Sequence, residues 1–421
     1  MEYWIIEPHG GVIIRDGRPF STVAGVAKAQ SLPFVTPSVI AGAVRGRVAT
    51  NVQGAFSADK SDVATLQTVS IAGYMLVKRG PGLTQNTLNW DPFLPRPADA
   101  ILLKDALQWY RVVPRILHDC HTDLADDQLL SLHLPDEAPV TKIDDSAPFW
   151  NVSIIQQWLM GSVLSRDDTH INSIDDLPRD ERYHVAIDSK SGTYETGKLF
   201  ATSAIGFRYN KASAQTTTTH QLAILVLVDE QQSLQLISEQ SPQDVGPRLR
   251  IPPAVDTLGG EQRMVCWNEV TKQSLNYADY LSNPPQDVID SVTKTRNCRV
   301  LLITPAYIED IAKPQQLSGH VGQLTITVKA VALSRAEWHS GWDMDKRRPK
   351  YARRLVPAGS VFFVSFSFVG NDDEAYKEIA QWISSKWMKP LSDDVSSGSS
   401  NPNQMCSDGA GVVLIGSGWS E

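Results

Sequence analysis

The chain has 421 residues, of which 42% are hydrophobic and 20% are charged, and its formal net charge is −8. A chain of this length is expected to form two domains with one core each, and the composition is typical of a globular protein. The acidic balance excludes a protein that binds polyanions over its whole surface. Any contact with nucleic acid must therefore come from local basic patches.

Cysteine usage and hydropathy indicate a soluble, cytoplasmic protein. The four cysteines stand far apart without a Cys-x-x-Cys pair, which argues against structural disulfides and for a reducing compartment. The first residues, MEYWIIEPHGG, lack a basic region followed by a long apolar run, so they predict a strand and no signal peptide. The longest apolar run, Leu222–Val228, is too short to span a bilayer.

The chain begins with a strand and a tight turn. Residues Glu2–Glu7 alternate sufficiently to predict a strand, which Pro8 closes. Asp16-Gly17 predicts a turn with Arg15 and Arg18 on either side.

The first predicted helix carries a polar face of unusual composition. Thr36 followed by Pro37 predicts the helix start, with Thr36 as the cap, and the helix is expected to reach Gly46 or beyond. Arg47 falls in the apolar sector, so either the helix ends near Gly46 or the Arg47 side chain extends to solvent. The opposite face carries the Ser38 hydroxyl, the bare backbone of Gly42 and the Arg45 guanidinium. These groups can bind a phosphate, or the face can simply be exposed to solvent.

The segment from about 80 to 180 is irregular and predicts a large insertion into the first domain, with one amphipathic helix around Phe149–Leu164. Four side chains in it are of metal-binding type, but their spacing crowds neighbouring ligands and favours a polar loop over a metal site: His118, Cys120, His121 and His133.

Further strands complete the first predicted domain, residues 1–275. Strand patterns recur at Tyr183–Asp188, Leu199–Arg208, Gln221–Asp229 and Arg263–Val270, and the second and third of these are expected to pair across a Thr-rich loop. His184 opens the first of them and is expected to pack or hydrogen-bond, because no second proton-transfer group is visible near it.

The second half, residues 276–421, predicts a β-α-β-β-α-β unit. Its strands are expected at Arg299–Thr304, Gln323–Leu333 and Ser360–Val369, and Asn371 is expected to cap a helix with an acidic first turn. A Ser/Gly/Asn linker and a glycine-rich last strand follow. The predicted fold class is therefore α+β, with two ferredoxin-like (RRM-like) domains, the first of which carries the insertion.

A basic stretch precedes the phenylalanine-rich strand of the second domain. Six basic residues fall within nine positions, and in an acidic protein this concentration indicates an anionic partner: Lys346, Arg347, Arg348, Lys350, Arg353 and Arg354. Glycine-rich turns elsewhere expose backbone N–H groups that suit phosphates. No nucleophile elbow, P-loop, dinucleotide fingerprint or RNP-type aromatic octamer is present, so neither catalysis nor ordinary base stacking is indicated.

Six segments in order resemble a known family. They are WIIEPHG with RDGRPF, the helix PSVIAGAVR, HVAIDSKSGTYETGKLF, LGGEQR, GWDMDKRRPKYARRLVPAGSVFF and GAGVVLIGSGW. Together they resemble the Cmr-type RAMP subunit, related to the fifth Cas family, of type III-B CRISPR effector complexes. The resemblance implies two ferredoxin-like domains and a non-catalytic subunit without cofactor or metal. It also implies binding of the 5′ repeat-derived tag of the guide RNA (crRNA), and contacts to the large polymerase-like (Palm-domain) subunit and to a backbone RAMP subunit.

By motif match, the resemblance assigns tag binding to the helix face, the inner basic residues and the C-terminal glycines: Ser38, Gly42, Arg45, Lys350, Arg353, Arg354, Gly409, Gly411 and Gly416. Arg18 and Arg263 are carried over more weakly, since such arginines can instead brace a domain. Two alternatives stay open. One is a metal-independent endoribonuclease that processes guide RNA precursors with His184, and the other is a protein–protein adaptor whose basic loop meets an acidic surface.

Overall fold

A computed structural model describes residues 1–15, 28–49, 66–67, 69–80, 89–116, 129–212, 217–229, 253–308, 317–343, 348–391 and 402–419. The chain is a strand-rich mixed α/β protein with several sheets. It divides into two compact units that alternate along the sequence. Unit 1 comprises Met1–Trp90, Leu177–Ser274 and Trp338–Arg354, and unit 2 comprises Asp91–Asp176, Leu275–Glu337 and Leu355–Glu421.

The main sheet of unit 1 is antiparallel, in the order β3-β15-β1-β17-β16. Its strands are β1 (Glu2–Pro8), β3 (Ser70–Arg79), β15 (Thr217–Asp229), β16 (Ala254–Leu258) and β17 (Arg263–Val270). Every residue of the apolar run Leu222–Val228 is buried, because β15 lies between β3 and β1 and both of its faces are covered. If β1, β3, β15 and β17 are numbered one to four, their order in the sheet is 2-3-1-4.

Helix α1 (Pro37–Val48) follows β1 in unit 1 and has the predicted start and extent, but it differs from the prediction in its cap bond and in the position of Arg47. The Thr36 carbonyl accepts from the first-turn amides, but its hydroxyl makes no cap bond and is buried without a partner among the described residues. The helix continues past Gly46, and Arg47 is buried with its guanidinium 3.1 Å from Asp256 of β16. Arg47 therefore does not extend to solvent, because an acidic partner compensates its burial.

One strand pairing predicted for unit 1 is wrong. Strands β12 (Arg179–Ile187) and β13 (Tyr194–Ile205) pair with each other and with β2 (Lys28–Gln30) in a separate sheet, in the order β12-β13-β2. The partner of β15 across the Thr-rich loop is β14 (Arg208–Ala212), not residues 199–208. Strand β3 lacks an alternating pattern and was not predicted, since most of its residues are buried on both faces.

The basic stretch folds as paired short strands. Strand β21 (Glu337–His339) pairs with β24 (Arg353–Leu355), and β22 (Trp342–Asp343) pairs antiparallel with β23 (Arg348–Pro349). The stretch connects the second and third strands of the unit 2 sheet, as predicted, yet Trp338–Arg354 belongs to unit 1. Met344–Arg347, which include two of the predicted basic residues, lie outside the described residues.

The main sheet of unit 2 has the order β19-β20-β25-β18-β26 and is antiparallel. Its strands are β18 (Asn297–Leu302), β19 (Gly319–Val321), β20 (Leu324–Ala332), β25 (Val361–Phe368) and β26 (Val413–Gly416). If β18, β20, β25 and β26 are numbered one to four, their order is again 2-3-1-4.

The helices of unit 2 are α2 (Val152–Leu159), α3 (Arg166–Ile171), α4 (Ala278–Ser282), α5 (Gln286–Thr295), α6 (Asp372–Lys386) and α7 (Pro402–Ser407); a 3₁₀ turn, Lys272–Ser274, ends unit 1. The predicted cap of α6 is confirmed, because the Asn371 side chain accepts from the Glu374 amide at 2.9 Å. None of the helices in the described ranges combines the length and hydropathy needed to cross a bilayer.

Residues 91–176, most of the predicted insertion, belong to unit 2. Their strands pair in the orders β11-β10-β4, β6-β5-β9 and β7-β8. These are β4 (Trp90–Pro95), β5 (Ala100–Leu103), β6 (Trp109–Arg111), β7 (Val113–Arg115), β8 (Ser131–His133), β9 (Ile143–Asp144), β10 (Phe149–Asn151) and β11 (Ser173–Ile174).

A buried ion pair joins these residues to the C-terminal sheet within unit 2. The Arg299 guanidinium on β18 lies 3.0 Å from the Asp99 carboxylate, and both side chains are 1% exposed. Arg299 also donates to the carbonyls of Trp158, Leu159 and Ser417. The ion pair is thus fully hydrogen-bonded, which is the condition under which a buried charge is tolerated.

Candidate nucleic-acid interface

The start of α1 touches the base of the basic hairpin inside unit 1. The Ser38 hydroxyl is hydrogen-bonded to Nε2 of His339 at 2.8 Å. A Cβ added to Gly341 would lie 3.7 Å from Ser38 Oγ and 3.4 Å from Lys350 Cδ. The Lys350 amide in turn donates to the Gly341 carbonyl at 2.8 Å. We call the surface formed by the first two turns of α1 and residues 338–343 and 348–354 the helix–hairpin surface.

The helix–hairpin surface is cationic. Lys350 and Arg354 are exposed and Arg353 is half-buried, and the Arg354 guanidinium lies 5.9 Å from the ring centroid of the exposed Trp338. Burial, followed by the positive charges of Lys350 and Arg353, lowers the pKa of His339 to about 4. The imidazole is therefore neutral at pH 7, chiefly because it is buried and in smaller part because Lys350 and Arg353 place positive charge near it.

The predicted polar face of α1 is only partly open. Gly42 is exposed, and a Cβ added there would meet nothing within 4 Å, so another backbone can approach the helix closely at this position. Arg45 instead donates from Nε and Nη2 to the Val69 carbonyl, at 3.3 and 3.0 Å. Ser38 thus contacts the hairpin, Gly42 follows one turn later on the same side of the helix, and Arg45 is held toward residue 69.

Among the described residues, no contact brings the predicted Arg263 to this surface. Arg263 on β17 forms an ion pair with Glu261 at 2.7 Å. Arg18 lies outside the described residues.

The three predicted C-terminal glycines, Gly409, Gly411 and Gly416, are buried in unit 2. A Cβ on Gly416 would lie 2.8 Å from Leu159 Cδ2 and 2.9 Å from the Leu159 carbonyl oxygen. Gly411 has a φ of +73° and donates its amide to the Pro305 carbonyl. Close packing and a left-handed backbone therefore account for glycine at positions 416 and 411.

The other residues of chemical interest that the structure describes take part in ordinary packing. The prediction for His184 is confirmed, since its ring stacks on Phe200 at 4.8 Å and bonds the Thr202 hydroxyl at 2.9 Å. His133 bonds the Ser131 hydroxyl, whereas His118, Cys120 and His121 lie outside the described residues. Across the described ranges, no three His, Cys, Asp or Glu side chains cluster as metal ligands would.

Sequence reasoning missed His339, the residue that joins the helix to the hairpin. It is a single histidine within SRAEWHSGWD, without a repeat or a partner motif nearby. Only the pairing of β21 with β24 and the contact with α1 give it a role.

Comparison with protein families places the chain among the CRISPR-associated proteins. The family described as CRISPR-associated protein (Cas_Cmr3) matches residues 4–416, and this chain belongs to that family. The resemblance to the Cmr-type family is thereby confirmed. No curated protein matches the chain.

Solved structures with distant similarity include subunits of type III complexes. A chain of a cryo-EM structure of the type III-B Cmr-beta bound to cognate target RNA and AMPPnP has 15% sequence identity and a TM-score of 0.44, with 86% of each chain covered. A chain of a second structure, of Cmr-beta bound to cognate target RNA, has 15% sequence identity and a TM-score of 0.42, again with 86% of each chain covered. A chain of the crystal structure of the Csm3-Csm4 subcomplex in the type III-A interference complex has 9% identity and a TM-score of 0.33, covering 88% of this chain and 94% of that chain.

Proposed function

We propose that this chain is a non-catalytic structural subunit of a type III-B CRISPR (Cmr) RNA-guided, RNA-targeting complex and that it binds the 5′ repeat-derived tag of the crRNA. Membership of the Cas_Cmr3 family supports the assignment to such a complex. In the proposal, the subunit bridges the large polymerase-like (Palm-domain) subunit to the backbone RAMP subunits. Target sequence is then read by base pairing with the guide, not by this chain.

The observation that carries tag binding is the Ser38–His339 hydrogen bond, which brings the open side of α1 and the basic hairpin onto one surface. Exposed lysine and arginine side chains can neutralise phosphates, and the exposed Gly42 lets a ribose–phosphate backbone approach the helix. The exposed Trp338 beside Arg354 offers a face on which an unpaired base can stack.

The proposal includes two ferredoxin-like domains. Both units contain an antiparallel sheet of order 2-3-1-4, with α1 between strands one and two of unit 1 and α6 between strands three and four of unit 2. This is the strand order that the β-α-β-β-α-β pattern produces.

Direct RNA contacts are assigned to Ser38, Gly42, Arg45, Lys350, Arg353 and Arg354. Arg18, Arg263 and the glycines Gly409, Gly411 and Gly416 stay predicted contacts of the same RNA. No cofactor is needed, because the proposed role is binding and scaffolding.

Crosslinking tests this proposal against its rivals. A guide RNA with a photoreactive nucleotide in its 5′ tag, assembled with the full-length chain and its complex, is expected to crosslink to residues 338–354 or to α1. A pure adaptor would give no crosslink to this chain. Discrete cleavage of repeat RNA without divalent metal, lost in His184→Ala, would instead establish the endoribonuclease.

A further inference from the structure

His339 has one satisfied and one unsatisfied ring nitrogen. The residue is 8% exposed, and its Nε2 is hydrogen-bonded to Ser38. Its Nδ1 is buried and has no hydrogen-bond partner among the residues that the structure describes. The Thr36 hydroxyl at the start of the same helix is also buried without a partner in the described chain. Buried polar atoms are nearly always hydrogen-bonded, so a ligand with hydrogen-bonding groups at this helix start would satisfy two orphaned atoms.

The surroundings of His339 select an anionic oxygen as that ligand. Lys350 and Arg353 both place positive charge near the ring, as its lowered pKa reports. The first turn of α1 contains no acidic residue, so the positive end of the helix dipole is not neutralised by its own side chains. A neutral imidazole has one N–H and one lone pair. When the Ser38 hydroxyl donates to Nε2, Nδ1 carries the proton, and this N–H has no acceptor among the described residues.

We infer that His339 is a further RNA-binding residue of this subunit, whose Nδ1–H donates a hydrogen bond to a phosphate oxygen of the guide RNA while Ser38 fixes the ring. This inference rests on the proposed function. It adds a neutral, oriented donor to a surface whose charged contacts come from lysine and arginine side chains. A phosphodiester at one defined position of the guide is then recognised by the direction of a hydrogen bond as well as by charge.

Two substitutions at position 339 separate RNA contact from structural support. An asparagine places its amide at the δ position, where Nδ1 stands, and cannot reach Ser38 as the histidine does. A glutamine places its amide at the ε position, so it keeps a partner for Ser38 and loses the δ donor. We expect His339→Gln to weaken binding of full-length protein to a tagged guide RNA by about tenfold, and His339→Asn by less, because a hydrogen bond to a charged group is lost only in the former.

The measurement is fluorescence anisotropy with a 5′-tagged guide RNA, and thermal unfolding of each variant is recorded alongside. A purely structural role for His339 reverses the order, with His339→Gln binding like the native protein and His339→Asn losing stability. That result would overturn the inference.

A chemical probe identifies the phosphate itself. Guide RNAs in which one tag phosphate at a time is replaced by a neutral methylphosphonate are titrated against the native protein and against His339→Gln. At the linkage that His339 contacts, the replacement is expected to cost the native protein about tenfold and to cost His339→Gln almost nothing further. Equal losses at every linkage would overturn the inference. The proposed function itself fails if the tag gives no crosslink to this chain, or if replacing Lys350, Arg353 and Arg354 by alanine leaves tag binding unchanged.

Discussion

Helices α1 and α6 begin in opposite ways, although each connects strands of a sheet with the same strand order. The start of α6 is satisfied by its own sequence, since Asn371 caps it and Asp372, Asp373 and Glu374 occupy its first turn. The start of α1 has no side-chain cap and no acidic residue, and it faces a histidine and a cationic hairpin. The positive end of the α6 dipole is therefore neutralised by the helix's own residues, whereas the start of α1 is suited to an external anion.

The largest effect is expected from the cations opposite α1. Replacing Lys350, Arg353 and Arg354 by alanine should weaken binding of the tagged guide about 100-fold at low salt and reduce the dependence of log affinity on log salt by roughly two units. Lys294, Lys377 and Lys389 of unit 2 are exposed and serve as a matched control with the same change in net charge. Equal losses in the two triple variants would show that only overall charge matters, and the comparison between the helices would fail.

A substitution on the open side of α1 should separate folding from binding. Gly42→Ala introduces a methyl group into open space and improves helix propensity, so it should raise the free energy of unfolding by about 1 kcal/mol. The same methyl group should weaken binding of the tagged guide about tenfold, because it keeps the RNA backbone away from the helix. Gly46→Ala, one turn farther from Ser38 and also in open space, is the control. Chemical denaturation and RNA titration give the two quantities, and a Gly42→Ala variant that binds like the native protein would contradict the close approach.

The α1 start should also show a pH dependence of stability. The pKa of His339 is about 4 in the folded chain and about 6.5 when unfolded, so the unfolded state binds the extra proton first as pH falls. Stability is therefore full above about pH 6.5 and declines toward pH 4, with a loss on the order of 1 kcal/mol between pH 7 and 5.5. Denaturation of the native protein and of His339→Gln across this range is the measurement. The two slopes must differ, and identical slopes would show that His339 titrates normally.

The smallest effect concerns the start of α6. Asn371→Ala removes the cap bond to Glu374 and should lower the free energy of unfolding by about 1 kcal/mol. Affinity for the tagged guide, measured at a temperature where the variant stays folded, should not change. A loss of affinity would mean that this helix start also contributes to RNA binding.

Local elements were predictable from the sequence because local rules govern them. The cap of α6, the apolar side of α2 and the strand Val361–Phe368 follow from capping chemistry and residue periodicity. Strand β3 could not be found this way, because a strand buried on both faces shows no alternation and Gly73 interrupts it.

Residue periodicity could not predict which distant parts of the chain come together at the site. The family resemblance selected Ser38, Gly42 and the inner basic residues, but their contact through His339 joins positions about 300 residues apart. Gly416 shows the opposite case. A glycine in a glycine-rich segment suits a phosphate loop and also suits close packing, and only the position of Leu159 shows that packing requires it.

The alternation of the two units along the sequence constrains how the chain is made. Unit 1 begins at Met1 and is completed only by Trp338–Arg354, and the sheet of unit 2 closes when β26 pairs with β18, more than 100 residues earlier. Neither unit is a contiguous fragment, and the sheet of unit 2 cannot be completed during synthesis before residues 413–416 have left the ribosome. Until then, the chain exposes unpaired strands such as β18, and a chaperone or a waiting partner that covers them would protect the nascent protein from aggregation.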